Sequence, residues 1–240
     1  MTRSTILGGQ GAKSAQKGGA VVAIWNDILP DSREDFFEWH NRQHIPERVG
    51  IPGFIRGRRY VGIDAQPEFF TLYDTKGMSV VTSPAYLEKL ENPTPWTARV
   101  VKSFTALSRS LCSVESSFGS GSGGLMMTVR FEVAKGRETE MLTALREHVS
   151  PNLIARPGIV RVRLCVAELE ASSIKSAEKK GHDHIPVPGW ILLVEGGAEA
   201  GALKAACDEI VCQRALVALG AIGIVKHDLY CLQRDLFADG

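Results

Sequence analysis

The sequence predicts an α+β protein built from two tandem β-α-β-β-α-β modules. Two observations carry this prediction: the same order of predicted elements occurs on each side of a Gly/Ser-rich segment, and two short motifs recur in register. Residues 42–45 (RQHI) match 146–149 (REHV), and residues 52–58 (PGFIRGR) match 157–163 (PGIVRVR). Two matches at equivalent places indicate two fused copies of one unit.

The first module is predicted to span residues 20–115. Its strands are predicted, from β-branched and aromatic runs, at residues 20–29, 54–63, 68–75 and 105–114. Its helices are predicted to begin at Ser32, Ser83 and Thr94, because each is a good N-cap and the last two are followed by proline. The order β-α-β-β-α-β describes the ferredoxin-like plait.

The second module is predicted to span residues 125–235, after a flexible linker at 116–124. Its strands are predicted at 125–133, 158–168, 190–195 and 222–232, and its helices at 136–153 and 199–219. Residues 1–19 contain few apolar side chains and predict a flexible tail. A ferredoxin-like sheet leaves one face bare, so we expect the two sheets to pack face to face and form a closed, barrel-like core.

The composition argues against several classes of partner. The 28 Lys and Arg residues almost balance the 27 Asp and Glu residues, and a net charge of +1 gives no reason to expect nucleic acid or an anionic membrane. No apolar run reaches the roughly 20 residues of a membrane-spanning helix, and the first residues lack the apolar core of a signal peptide. Five cysteines without a CxxC pair predict a reduced, cytoplasmic protein.

The first helix and the strand after it carry a motif that resembles the dimeric α+β barrel superfamily, and particularly its EthD-like members. The matching segments are WHNRQHIP at 39–46, PGF at 52–54 and RRY at 58–60. The resemblance implies two ferredoxin-like modules packed sheet to sheet as an intramolecular dimeric α+β barrel. Members include cofactor-free monooxygenases, polyketide cyclases, lactone isomerases and haem-dependent enzymes. In many of them the pocket lies between the sheet and the helices of one module, which implies that His40 and His44 lie close to it.

His40 and His44 are the candidate catalytic residues, because their spacing places both on one face of the predicted helix. Histidine exchanges protons near neutral pH, so the pair could deprotonate an aromatic or enolisable substrate. The structural alternative is that His44 bonds a backbone carbonyl near the following turn. His44 recurs as His148, whereas Ala144 occupies the place of His40. The residue that only the first module keeps, His40, is therefore the stronger functional candidate.

Four further side chains are candidates for substrate binding: Phe36, Trp39, Arg58 and Tyr60. Phe36 shares the helix face of the histidines, and Trp39 would shape the pocket. A guanidinium on the following strand could donate hydrogen bonds to a carboxylate or phenolate of the substrate. On that strand Arg58 lies on one face and Arg59 on the other. Surface ion pairs explain these arginines at least equally well, and the recurrence of Arg56 and Arg58 as Arg161 and Arg163 favours a structural part in both halves.

A metal or haem site is a different use of the same histidines. Their spacing suits zinc, but zinc needs at least a third ligand, which His182 and His184 could supply from a polar segment. The glutamate of the His-Glu-x-x-His motif is absent, and nothing beyond one axial histidine supports haem. We therefore predict neither a bound metal nor a cofactor.

By its resemblance, the chain is expected to be a small-molecule enzyme of EthD-like type that acts on an aromatic or hydrophobic organic substrate by histidine acid/base chemistry. The reaction could be an isomerisation, a cyclisation, an elimination or a cofactor-free oxidation. The alternative is a non-catalytic protein with a ligand-binding or stress-related role. The expected partner is a small-molecule ligand rather than nucleic acid or a membrane. A homo-oligomer beyond the intramolecular pseudo-dimer also stays open.

Overall fold

The computed structural model describes residues 19–172, 186–197 and 199–239 of the chain. Its strands are β1 (Ala20–Ile28), β2 (Phe54–Asp64), β3 (Phe69–Thr75), β4 (Phe104–Gly119), β5 (Leu125–Val133), β6 (Ile159–Ala167), β7 (Trp190–Gly196) and β8 (Ala221–Phe237). They close into one barrel in the order β1-β3-β2-β8-β5-β7-β6-β4. Every pair of neighbouring strands is antiparallel.

Strands β4 and β8 join the two halves of the chain. The first part of β4 pairs with β1, and its last part pairs with β6 of the second half. In the same way β8 pairs first with β5 and then with β2 of the first half. Hydrogen bonding at these two seams closes the sheet and removes its open edges. The predicted α+β arrangement of two tandem ferredoxin-like modules packed sheet to sheet is therefore wrong: the halves meet edge to edge in a single closed antiparallel barrel.

Strand β4 is longer than the sequence indicates, because it continues through residues 116–119 of the predicted linker. Ser116 and Phe118 are buried, so the alternation of a strand persists through a segment whose composition is typical of a loop. The strand ends at Gly119, which has a φ of 79°. A Cβ atom there would lie 2.2 Å from the carbonyl oxygen of Val160, so the approach of β4 to β6 requires glycine.

The helices are short. In chain order they are α1 (Arg33–Trp39), α2 (Ile45–Val49), α3 (Met78–Val81), α4 (Pro84–Glu91), α5 (Pro95–Val100), α6 (Glu138–Ala144), α7 (Ser150–Ile154), α8 (Leu169–Ser172), α9 (Ala200–Ile210) and α10 (Gln213–Leu219). Two π-helical turns, His40–His44 and Leu145–Val149, connect α1 to α2 and α6 to α7. The helix predicted at 199–219 is divided in two between Ile210 and Gln213.

The barrel interior is a packed core that receives side chains from both halves. Its large members include Trp25, Tyr60, Phe70, Met126, Leu193 and Tyr230. The rings of Trp25 and Phe70 stack with centroids 4.9 Å apart. The helices pack instead on the outward-facing side chains of the strands: Ile45 and Val49 of α2, for example, belong to one cluster with Tyr73 of β3. The layer between helices and barrel is therefore separate from the interior.

Gly57 of β2 sets the distance between α2 and the barrel. A Cβ atom at this position would lie 2.9 Å from Tyr73 Cε1, 2.9 Å from Val49 Cγ2 and 3.0 Å from Ile45 Cγ2. We expect Gly57→Ala to lower the free energy of unfolding by about 1–3 kcal/mol, because these neighbours cannot move apart without loosening the helix. Chemical denaturation measures this. The control is Gly77→Ala, where no atom lies within 4 Å; an equal loss there would contradict the explanation.

No helix of the described chain is long and apolar enough to cross a bilayer. The longest α-helix, α9, has 11 residues. The predicted flexible tail, up to residue 18, and the middle of the predicted polar segment, residues 173–185, lie outside the described residues.

Candidate functional site

The two candidate histidines lie where the first helical segment changes from α to π and back. Helix α1 ends at Trp39, the π-helical turn spans His40–His44, and α2 carries Pro46 in its first turn. Proline has no amide hydrogen, so the carbonyl four residues before it loses its helical partner, and a wider turn accommodates the loss. In the second half the π-helical turn Leu145–Val149 likewise precedes Pro151.

Aromatic rings enclose both imidazoles. The ring of His40 stacks on Trp39 with an interplanar angle of 11° and centroids 5.3 Å apart, and the ring of His44 lies 4.2 Å from Trp39. Phe36 lies 5.0 Å from His40. The indole Nε1 of Trp39 donates a hydrogen bond of 3.0 Å to Thr97 Oγ1, which fixes the ring against α5. Both histidines are 3% exposed, so their environment has a low dielectric constant.

Burial and nearby positive charge keep both histidines neutral. The pKa of His40 lies well below its usual value, first because of burial and then because of His44, Arg59 and Arg234. The pKa of His44 is lowered in the same way, by burial and then by Arg48. A neutral imidazole near pH 7 has a free nitrogen lone pair and can act as a base.

Arg59 of β2 faces His40 across the layer between helix and barrel. Its Nη1 lies 3.5 Å from His40 Nδ1, its guanidinium lies over the ring of Phe37 at 4.7 Å, and its Nε donates to Gln233 Oε1 at 3.2 Å. Burial, followed by Arg234, lowers the pKa of Arg59 to about 10. Within the described part of the chain Arg59 forms no ion pair with a carboxylate, although it is only 4% exposed.

Arg234 of β8 is the second guanidinium on this side of the barrel. Its Nη2 donates to the backbone carbonyl of Asn41 at 3.5 Å, within the π-helical turn. Its positive charge lowers the pKa values of both His40 and Arg59. Among residues 19–172, 186–197 and 199–239 it makes no ion pair with a carboxylate. Two guanidiniums without carboxylate partners therefore flank His40, and such an arrangement favours a negative charge.

The structure brings together four of the six predicted site residues, and Arg58 and Tyr60 are not among them. His40, His44, Trp39 and Phe36 lie in the layer between helix and barrel. Arg58 and Tyr60 point into the barrel, where Arg58 Nη1 donates to the Tyr60 hydroxyl at 3.0 Å. Neighbouring residues of a strand face opposite sides, so the residue of β2 that reaches the histidines is Arg59. Sequence reasoning placed Arg59 on the face opposite Arg58 but did not select it.

Arg58 belongs to a buried four-charge cluster that both halves build. Arg58 pairs with Asp74 at 2.7 Å and with Glu195 at 3.1 Å, and Arg163 pairs with the same two carboxylates. Burial alone would raise the pKa of Asp74, but Arg163 and Arg58 lower it to about 2. Burial, the largest influence, raises the pKa of Tyr60 to about 12. The cluster is balanced in charge, as expected for a structural ion-pair network.

The described residues contain no group of three or more His, Cys, Asp or Glu side chains that could hold a metal ion. His40 and His44 lie close together, with ring centroids 5.5 Å apart. The additional ligands that the sequence suggested, His182 and His184, lie outside the described residues.

Because both histidines are buried in their neutral form, we expect the stability of the protein to depend on pH. Their pKa values in the folded protein lie below that of an unfolded chain, about 6.5. Below that pH the unfolded state binds protons that the folded state excludes, so stability falls as the pH falls, by about 1.4 kcal/mol per pH unit for each histidine. We expect urea denaturation between about pH 7.5 and about pH 5.5 to show this loss. A His40→Gln/His44→Gln variant with an unchanged slope would contradict it.

No protein-family model matches the sequence, and no curated protein sequence matches it significantly. Solved structures do resemble the fold. An anthrone oxidase-like protein has 14% identity and a TM-score of 0.64, over 94% of this chain and 95% of its own. A proposed monooxygenase from Fusobacterium nucleatum has 8% identity and a TM-score of 0.56, over 94% of this chain and 97% of its own.

A proposed chlorite dismutase is also similar, with 11% identity and a TM-score of 0.56, over 91% of this chain and 96% of its own. At such identities the likeness shows the fold alone. These neighbours share a dimeric α+β barrel fold, so the closed barrel with outer helices is the architecture of monooxygenase-like and chlorite dismutase-like proteins.

Proposed function

We propose that this chain is a small-molecule enzyme of EthD-like type that removes a proton from an aromatic or hydrophobic organic substrate. One observation carries the proposal: a neutral, buried His40 is flanked by Arg59 and Arg234, and neither guanidinium pairs with a carboxylate among the described residues. A structural histidine would not need two unneutralised cations beside it. A base that turns its substrate into an anion would need such cations, because they stabilise the negative charge of the anion.

The proton would move to the nitrogen of His40 that faces Arg59. Because Arg59 can only donate hydrogen bonds, the Nδ1 atom opposite it carries a lone pair, and the proton of the neutral ring is on Nε2. A substrate oxygen that displaced the Arg59–His40 contact would accept the hydrogen bond of the guanidinium, and the substrate carbon would give its proton to the freed Nδ1, which leaves the negative oxygen beside Arg59. Fixed positive charge at the point where negative charge develops is the main way in which a buried site lowers a barrier. His44 is the second candidate for proton exchange.

The aromatic surroundings favour a flat substrate. Phe36 and Trp39 present ring faces to the imidazoles, and a planar aromatic substrate could stack on such faces. Removal of a proton from the substrate could begin an isomerisation, a cyclisation or an elimination. In the presence of O₂ it also serves cofactor-free oxidation. The name of the anthrone oxidase-like neighbour suggests a suitable probe: one anthrone and one O₂ give one anthraquinone and one water, by way of the anthrone enolate.

The experiment follows the proton directly. Purified protein is incubated with anthrone or 2-tetralone in D₂O without oxygen, and deuterium incorporation at the acidic carbon is measured by NMR. Air is then admitted, and anthraquinone formation and O₂ uptake are recorded. We expect the protein to accelerate deuterium exchange of at least one ketone over buffer. Binding of the ketones without accelerated exchange would favour the non-catalytic ligand-binding alternative and overturn the proposal.

A further inference from the structure

A cavity whose lining does not include the histidines opens at one end of the barrel. Its volume is about 320 Å³, which lies within the range of small-ligand pockets. Strands from both halves contribute to it. The polar side chains that line it are Arg56, Asp74, Thr75, Ser117, Arg161 and Arg163, and its apolar walls include Val21, Val114 and Phe237.

Most of the positive charge around this cavity is neutralised by the protein itself. Arg56 is held by Asp235 through two hydrogen bonds of 2.7 and 2.6 Å. Arg163 is neutralised within the buried four-charge cluster, by Asp74 and Glu195. These ion pairs hold the guanidiniums of Arg56 and Arg163 in place. The third arginine of the lining has no such pair within the described chain.

That arginine is Arg161 of β6. Its Nε donates to Ser117 Oγ at 3.3 Å, and its two terminal nitrogens have no hydrogen-bond partner in the part of the chain that the structure describes. It forms no ion pair with a described carboxylate, although it is half-buried, and burial lowers its pKa. Unused donors at a half-buried cavity indicate a place for an acceptor.

We infer that this cavity binds a small organic monocarboxylate with an apolar body. Its carboxylate would accept the two parallel hydrogen bonds that the Arg161 guanidinium can offer, in the fork geometry that matches the two groups. Its apolar part would lie against Val21, Val114 and the ring of Phe237, which stacks on Arg56 at 4.6 Å and is 59% exposed.

A monocarboxylate fits the lining better than a phosphate does. Asp74 also lines the cavity and would repel a dianion more strongly than a monoanion. Val21, Val114 and Phe237 give the cavity an apolar wall, which a hydrated phosphate would not cover. The inference is independent of the proposed acid/base chemistry, because neither His40 nor Arg59 takes part in the cavity.

The test is binding of 4-fluorobenzoate, followed by ¹⁹F NMR, with the neutral 4-fluorobenzamide as the comparison. We expect the benzoate to bind, the benzamide to bind at least about tenfold more weakly, and Arg161→Gln to weaken benzoate binding by at least about tenfold. The control Arg137→Gln removes an exposed arginine that does not line the cavity, and it should bind like the unmodified protein.

A second variant guards against a folding defect in the first. Ser117→Leu fills the cavity with a larger apolar side chain and keeps the Arg161 guanidinium, although it removes the acceptor of Arg161 Nε, so it should also abolish benzoate binding. Arg59→Gln should leave binding intact, which separates this cavity from the histidine site. Absence of benzoate binding to the unmodified protein would overturn the inference. So would equal affinity for the benzamide, or binding that survives in both Arg161→Gln and Ser117→Leu.

Discussion

Replacing His40 by glutamine is expected to lower kcat for proton removal from the substrate by about 10²–10⁴-fold, the usual contribution of a general base. Glutamine has a similar size and stays neutral, so the packing against Trp39 and Phe36 is largely preserved. It cannot accept the proton. The measurement is the initial rate of deuterium exchange, or of anthraquinone formation, on whichever ketone the unmodified protein accepts.

The duplicated sequence supplies a matched control for this variant. His148 is the counterpart of His44 in the second π-helical turn, and its side chain lies beside an open surface depression of α6 rather than in an aromatic layer. His148→Gln should therefore leave kcat unchanged. If His40→Gln keeps the full rate while its circular dichroism stays that of the unmodified protein, then His40 is a structural residue.

Replacing Arg58 by methionine is expected to lower the free energy of unfolding by about 3–5 kcal/mol, because it leaves two buried carboxylates with one cation. Asp74 and Glu195 then share Arg163 alone. A loss of this size is a large part of the 5–15 kcal/mol of stability that a typical domain has. Chemical denaturation measures it, and Arg163→Met should give a similar loss, because Arg163 contacts the same two carboxylates.

Two comparisons sharpen this prediction. Arg137→Met breaks an exposed pair with Glu140 and should change stability by less than about 1 kcal/mol. Arg58→Met/Glu195→Met removes one charge of each sign, so it should cost less than the sum of its single variants. A stability of Arg58→Met within about 1 kcal/mol of the unmodified protein would show that the cluster does not hold the halves together.

The sequence predicts the strands well and their assembly poorly. Alternation and turn residues identify the starts of β2 and β5, which lie at the predicted positions Phe54 and Leu125. The two seams are formed by the last residues of β4 and β8. The sequence is Ser-rich at the end of β4 and charged at the end of β8, and such composition predicts a linker or the end of a strand. Those residues become strand because another half of the chain offers unpaired backbone groups. No local pattern encodes that partner.

The candidate site was predictable to a similar degree. The repeat singled out His40, helical spacing placed Phe36 and His44 on the same helix face, and Trp39 was proposed as its neighbour, as the structure has them. Strand alternation separates Arg58 from Arg59 but does not say which face the helix covers. That choice depends on barrel closure, which turns Arg58 toward carboxylates of both halves. Arg234 could not be predicted, since it comes from the last strand.

The pH dependence of kcat/KM for proton removal tests the central claim most directly, because it reports the pKa of the base in the free enzyme. With His40 as the base, kcat/KM should rise with pH through an ionisation below about 6.5 and then stay level, since the pKa of His40 lies below its usual value. The residual activity of His40→Gln should lack that ionisation. An identical pH profile in His40→Gln, or an ionisation well above 6.5 in the unmodified protein, would contradict the assignment of His40 as the base.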